Sequence, residues 1–214
     1  NIPLLTGTIH TSLENNFRFY YNSSMFIIPK KKYELYSKIH LVPFAEYDLL
    51  PSIFHPLKKL NINIDRGNFK SGNNYKVFKY KNLLFSNLIC YESSIPKISR
   101  KFVSKGAEFL IIQANDGWLG SSFGPYQHFE LARLRAIENR IPIVRCANTG
   151  ISGIINFDGS VKTKVNLNKQ KIIFDSLSTN KNGSFYTKYG DIFAIIISII
   201  SLIVISFKCR KYFY

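Results

Sequence analysis

Apolar and polar positions along the first ninety residues outline a series of short strands. IPLLTGTIH is an apolar, β-prone run ending near Gly7, and FRFYYNSSMFIIP carries aromatic and branched residues up to Pro29. The lysines after Pro29 read as a turn before YELYSKIHLVPF, so the two runs predict a pair of strands around it. From Leu49 to Asn74 no period survives; Pro51, Pro56, Gly67 and Gly72 predict a long loop holding one helical turn at most. YKVFKYKNLLFSNLIC returns to alternation and then becomes continuously apolar, which predicts two more strands, the latter buried on both faces.

The period then changes to that of helices. In IPKISRKFVSKGAE, Ile98, Phe102 and Val103 share one face and Gly106 supplies a stop. FLIIQAND is a strand, GWLGSSFGPYQ a glycine-rich loop, and HFELARLRAIENR a helix with Leu131, Leu134 and Ile137 as its predicted apolar face. IPIVRCAN is another strand, and GISGIINFDGSV a hairpin turning at Asp158-Gly159. Strands alternating with helices predict an α/β architecture. There is no internal repeat.

The tail departs from all of this. From Ile192 to Phe207 serine is the only polar residue type, a run of about 24 Å as helix against a ~30 Å hydrocarbon core. With Tyr189 before it and Tyr212 and Phe213 after it as interfacial aromatics, the expectation is a transmembrane helix over 189–208 and a short basic tail over 209–214. Lys208, Arg210 and Lys211 put the C-terminus on the cytoplasmic side and residues 1–188, the expected catalytic domain, on the outer side.

Charge and cysteine content narrow the partners. The net charge of +16 comes from scattered lysines and arginines, with only Lys30-Lys31-Lys32 forming a run. No basic stretch is interleaved with aromatics, so a nucleic-acid partner is not expected. Cys90, Cys146 and Cys209 are widely spaced and odd in number, which argues against a disulfide framework. Cys146 is expected in the core, and Cys209 at a membrane boundary. His40 and His128 are read as structural, since no third ligand stands at a useful spacing; no metal or other cofactor is expected.

Cys90 is the residue that needs an explanation. It closes an apolar strand and directly precedes Tyr91 and Glu92. Lys38 also stands near a strand end, and the ends of strands gather where α/β proteins build their sites. A lysine there can stabilise a thiolate and the oxyanion of a tetrahedral intermediate. Glu46 and Glu92 add carboxylates.

SKIHLVPFAEY, LICYE and ANDGWLGSSFGPYQHFELARLRAIENRIPIVRCANTG, in that order, resemble the nitrilase or carbon-nitrogen hydrolase superfamily and, within it, the apolipoprotein N-acyltransferases. The resemblance implies an αββα sandwich with a Glu-Lys-Cys triad. It makes Cys90 the nucleophile, Lys38 the triad lysine and Glu46 a supporting glutamate, with Tyr91 and Glu92 following the nucleophile and Trp118 in a nearby loop that meets substrate. It also implies the reaction, transfer of an acyl chain from a phospholipid donor through a cysteine thioester to a diacylglyceryl-modified apolipoprotein, in a bacterial inner membrane. The family's general-base glutamate lies before the block matched by IPLLTG and is not expected in this chain, because neither Glu14 nor Glu34 has the right context. The sandwich is therefore expected to be N-terminally incomplete and the chain to be part of a longer enzyme. Two other classes remain open: an amidase with water as acceptor, and a non-catalytic membrane-anchored remnant.

Overall fold

The computed structural model describes residues 2–47 and 69–212, with side chains through Lys208. Most of the loop expected over 49–74, including Phe54, lies outside the described residues.

β1 (Leu4–Glu14) and β2 (Phe17–Ile27) pair antiparallel along their whole length. Their turn is Asn15-Asn16, both with positive φ, the geometry that a tight two-residue hairpin demands and that asparagine tolerates. The strand thus runs well past Gly7. β3 (Glu34–Ser37) adds to β2 after the lysine turn, where Lys30 is left-handed, giving a three-stranded sheet in the order β1-β2-β3.

The second sheet has six strands in sequence order: β4 (Phe78–Tyr80), β5 (Leu83–Ile89), β6 (Phe109–Ala114), β7 (Ile143–Ala147), β8 (Ser152–Ile155) and β9 (Val161–Val165). Its centre is parallel, β5 with β6 and β6 with β7, and its flanks are hairpins. The parallel steps require crossovers. These are α1 (Pro96–Ser104) and α2 (Gly124–Asn139). Ile98, Phe102, Phe129, Ala132 and Ala136 join Leu88, Leu110 and Ile112 in one buried cluster. The three-stranded sheet packs on the other face, where the Phe26 ring meets Phe78, Tyr80 and Phe85. Among the described residues, three layers of the expected αββα sandwich are present.

Three expectations need correction. The buried face of α2 is His128, Phe129, Ala132, Arg135, Ala136 and Asn139, whereas Leu134 and Ile137 are substantially exposed. Polar residues face inward there because each finds hydrogen-bond partners from other segments or its own helix, which periodicity alone does not reveal. Cys146 is exposed rather than core: in β7 the alternation turns Ile143 and Arg145 inward. The third correction concerns the tail. It holds a short helix α3 (Phe185–Tyr189), a break at Gly190, and then α4 (Ile192–Tyr212). Among the described residues no helix is long and apolar enough to cross a membrane. The stretch from Ile192 to Lys208 spans about 25 Å as helix, short of a ~30 Å core. A transmembrane helix over 189–208 is therefore not established. Its isoleucines and phenylalanines are exposed on every side.

Candidate active site

The parallel strands β5, β6 and β7 end at one edge, and the residues that follow them form the site. Cys90 follows β5, Asn115 and Asp116 follow β6, and Asn148 follows β7. Lys38 follows β3 of the other sheet. Of the sequence-predicted residues, Lys38 pairs with Glu46, and Glu92 links the segment after Lys38 to the strand end before Cys90.

Cys90 opens a 3-10 turn, Cys90–Ser94, with φ +51°. Left-handed backbone costs a residue with a Cβ about 1–2 kcal/mol, so neighbouring contacts must hold it. Its sulfur is half-buried and lies 3.9 Å from the Asn115 carbonyl. This sharp step from strand to turn lifts the side chain out of the sheet.

Glu92 ties the two walls together. It is fully buried. One carboxylate oxygen accepts from the Tyr36 hydroxyl (2.7 Å), Ile39 N (2.8 Å) and His40 N (3.1 Å). The other accepts from Ile89 N at 2.8 Å. The amides following Lys38 and the amide preceding Cys90 therefore share one side chain. Burial pushes the Glu92 carboxyl above its ordinary range, against those hydrogen bonds. Burial, with the charge of Glu92 beside it, likewise raises the Tyr36 phenol. Among the described residues, Glu92 is held by a phenol and backbone amides rather than by a lysine.

Lys38 is 1% exposed and pairs with Glu46 at 2.6 Å. Glu46 also accepts from Asn22 Nδ2 (2.8 Å) and Val42 N (2.7 Å). The ammonium is thus kept inside the protein by a carboxylate that is itself oriented from β2 and from the following loop. Glu14 and Glu34 form ion pairs with Lys70 and Lys76 and stand outside this constellation.

Tyr91 is exposed, its ring 6.3 Å from that of His40. Trp118 lies on a 3-10 turn, Asp116–Leu119, with 81% of its surface open, and Phe123 is equally open. Both rings are open to solvent on the segment that follows Asp116.

Sequence reasoning missed the layer beneath Cys90. Asp116 accepts from His128 Nδ1 (2.8 Å) and from Arg145 Nη2 (2.7 Å). All three are buried. Burial disfavours the Asp116 anion, but the hydrogen bond from His128 and the charge of Arg145 outweigh it and hold the carboxyl below its ordinary range. Burial also lowers the Arg145 guanidinium, opposed by Asp116 and by Cys90 and Cys146. A ligand atom from each of Cys90, Asp116 and His128 lies within 4.8 Å of the others, so a third potential ligand does reach His128, from distant sequence. Asp116 and His128 already use those atoms in hydrogen bonds. The one available signal was Arg145, a cation on the inward register of a buried strand.

Comparison with known proteins gives the family and the fold. The carbon-nitrogen hydrolase family model matches residues 1–184. The chain is 36% identical to an apolipoprotein N-acyltransferase of Rickettsia typhi, over 97% of this chain and 42% of that protein. It is 37% identical to one from Geobacter metallireducens, over 73% of this chain and 30% of that protein. It therefore spans less than half the length of the relatives it matches. A carbon-nitrogen hydrolase from Helicobacter pylori shares the fold, with a TM-score of 0.61 at 16% identity, over 79% of this chain and 60% of that one. A Nesterenkonia amidase of the nitrilase superfamily gives 0.54 at 14% identity, over 78% and 58%.

Proposed function

This chain belongs to the carbon-nitrogen hydrolase family, and on that premise we propose that it carries the nucleophile and the lysine of an apolipoprotein N-acyltransferase. Cys90 thiolate attacks an ester carbonyl of a phospholipid. The carbon–sulfur bond forms, the oxyanion collapses, the carbon–oxygen ester bond breaks, and the departing alkoxide oxygen takes up a proton so that the lysophospholipid leaves as an alcohol. The α-amino group of a diacylglyceryl-cysteine then attacks the thioester. An amide forms, the amine gives up a proton, and the thiol is restored.

The observation that carries this reading is the left-handed Cys90 turn joined to the Lys38 loop through Glu92. An ammonium held in a dry site stabilises a thiolate and then an oxyanion far better than one in water. The reading assigns no general base among the described residues. Relatives named for apolipoprotein acylation support the acyl acceptor, and the exposed rings of Trp118 and Phe123 suit a lipid donor. The exposed apolar surface of α4 is assigned to lipid contact in a bacterial inner membrane. Such a surface is too large for water to cover cheaply.

The test uses membranes containing the protein and a phospholipid with an alkyne-tagged acyl chain. A label on Cys90 that hydroxylamine removes is expected. It should vanish in Cys90→Ala and persist in Cys146→Ala. A labelled Cys90→Ala protein overturns the assignment, and steady release of free fatty acid without acylated acceptor moves the reading to a hydrolase.

A further inference from the structure

Helix α2 sends one side chain to the underside of the nucleophile turn. His128 Nε2 lies 2.8 Å from Ser93 Oγ and 3.1 Å from the Cys90 carbonyl oxygen. Ser93 Oγ also donates to that carbonyl at 2.8 Å. The opposite edge of the ring is occupied as well. Nδ1 is 2.8 Å from Asp116 Oδ1 and 3.1 Å from Arg145 Nη2. The Asp116 carboxylate and the Cys90 carbonyl can only accept, so both ring nitrogens donate, Nδ1 to Asp116 and Nε2 to the carbonyl.

Each member of the chain is itself fixed. Arg145 donates from Nε to the Ile151 carbonyl at 3.0 Å and from Nη2 to Asp116. Asn148 Oδ1 accepts from the Asp116 amide at 3.2 Å. Gly150 packs against the Asp116 carboxylate so closely that a Cβ there would fall on Oδ2. Four elements thus meet around His128: the Cys90 turn, the loop after β6, helix α2 and strand β7.

We propose that His128 is a positioning residue for Cys90, a buried clamp that holds the left-handed backbone of the nucleophile through its carbonyl while Asp116, itself held by Arg145, locks the ring. The proposal rests on the reading of Cys90 as the nucleophile. The clamp answers a specific need. Residue 90 has a Cβ and a positive φ, and such a conformation persists only where surrounding contacts over-determine it. Glu92 secures the amide side of the turn at Ile89; His128 secures the carbonyl side. Released from either, the turn relaxes and the sulfur moves away from the Lys38 wall.

The test measures alkylation of individual cysteines by iodoacetamide at pH 6.5, read by mass spectrometry on peptides from the whole chain in detergent. Thiolate reacts, with iodide as leaving group, so an activated cysteine outpaces an ordinary one. In the wild type Cys90 is expected to react at least tenfold faster than the exposed Cys146. His128→Leu should cut the Cys90 rate about tenfold and leave Cys146 unchanged. His128→Gln, whose amide can donate at the same place, should recover to within about threefold of wild type. If His128→Leu does not fold, Gly150→Ala serves in its place: it displaces Asp116 without touching His128 or Cys90, and a threefold or larger fall at Cys90 is expected. A fast Cys90 whose rate is indifferent to these substitutions overturns the clamp alone. A wild-type Cys90 no faster than Cys146 overturns the nucleophile reading and the clamp with it.

Discussion

Cys90 and Lys38 end strands of two different sheets, and the two sheets hold their residue by different means. The Cys90 sheet is clasped between layers. Leu88, Leu110 and Ile112 of its strands are fully buried against α1 and α2. The Lys38 sheet has a thinner apolar anchor: Phe26 and Tyr36 are its members of the buried cluster, while Leu4, Ile9 and Leu13 of β1 stay exposed. Polar ties compensate. Ser24 bonds to Gln113 at 2.7 Å and to Asn87 at 2.5 Å across the sheet interface, and Glu92 acts likewise at the site. Apolar packing is non-directional and sets stability. Hydrogen-bonded charges are directional and set the relative place of the Lys38 and Cys90 segments.

That contrast predicts a ranked series. Leu110→Ala empties a fully buried site at the centre of the larger sheet and is expected to cost roughly 2–5 kcal/mol, measured by urea unfolding. A loss below about 1 kcal/mol would erase the distinction between the sheets. Glu46→Ala leaves the Lys38 ammonium buried without its anion. Removal of one partner costs about 3 kcal/mol, at the low end here because Glu46 is 15% exposed, and acylation of Cys90 should be lost with it. Unchanged stability would show that Lys38 finds another partner.

Glu92→Gln keeps the shape but turns an amide against one of the N–H donors at Ile39, His40 and Ile89. A cost of about 1–3 kcal/mol is expected, with acyl-enzyme formation falling much further than stability. Equal losses in both would make Glu92 a prop of the fold rather than the joint between the walls. Asp116 tests the layer below through pH. Its folded pKa is depressed, so its contribution is complete above the ordinary value of about 3.9. That contribution is lost as pH falls through the folded value, because the unfolded chain takes the proton first. Unfolding midpoints between about pH 5 and pH 2.5 should fall more steeply for the wild type than for Asp116→Asn; parallel curves would deny the ion pair its role. Leu13→Ala, at a 70% exposed position, should change stability by less than about 0.5 kcal/mol. A larger loss would mean that the face of β1 is covered.

The residues of the chemistry are legible in the sequence because local order carries them. LICYE ends a continuous apolar strand with the cysteine proposed as nucleophile, and SKIHLVPFAE places Lys38 and Glu46 within one segment. The hairpin at Asp158-Gly159, the stop at Gly106 and the crossover helices follow from turn chemistry and period. What the sequence does not state is which polar residues turn inward. Leu134 and Ile137 have the spacing of a buried stripe on α2, yet His128, Arg135 and Asn139 take that place. Cys146 has the neighbours of a core residue and is exposed because Arg145 holds the inward register. The cause is the same in each case. A buried polar group is stable only if a partner arrives from elsewhere in the chain, and the partners of Arg145, Glu92 and His128 are supplied by segments remote in sequence. Periodicity reports a residue's own preference for water; only the tertiary structure reports what meets it when water is gone.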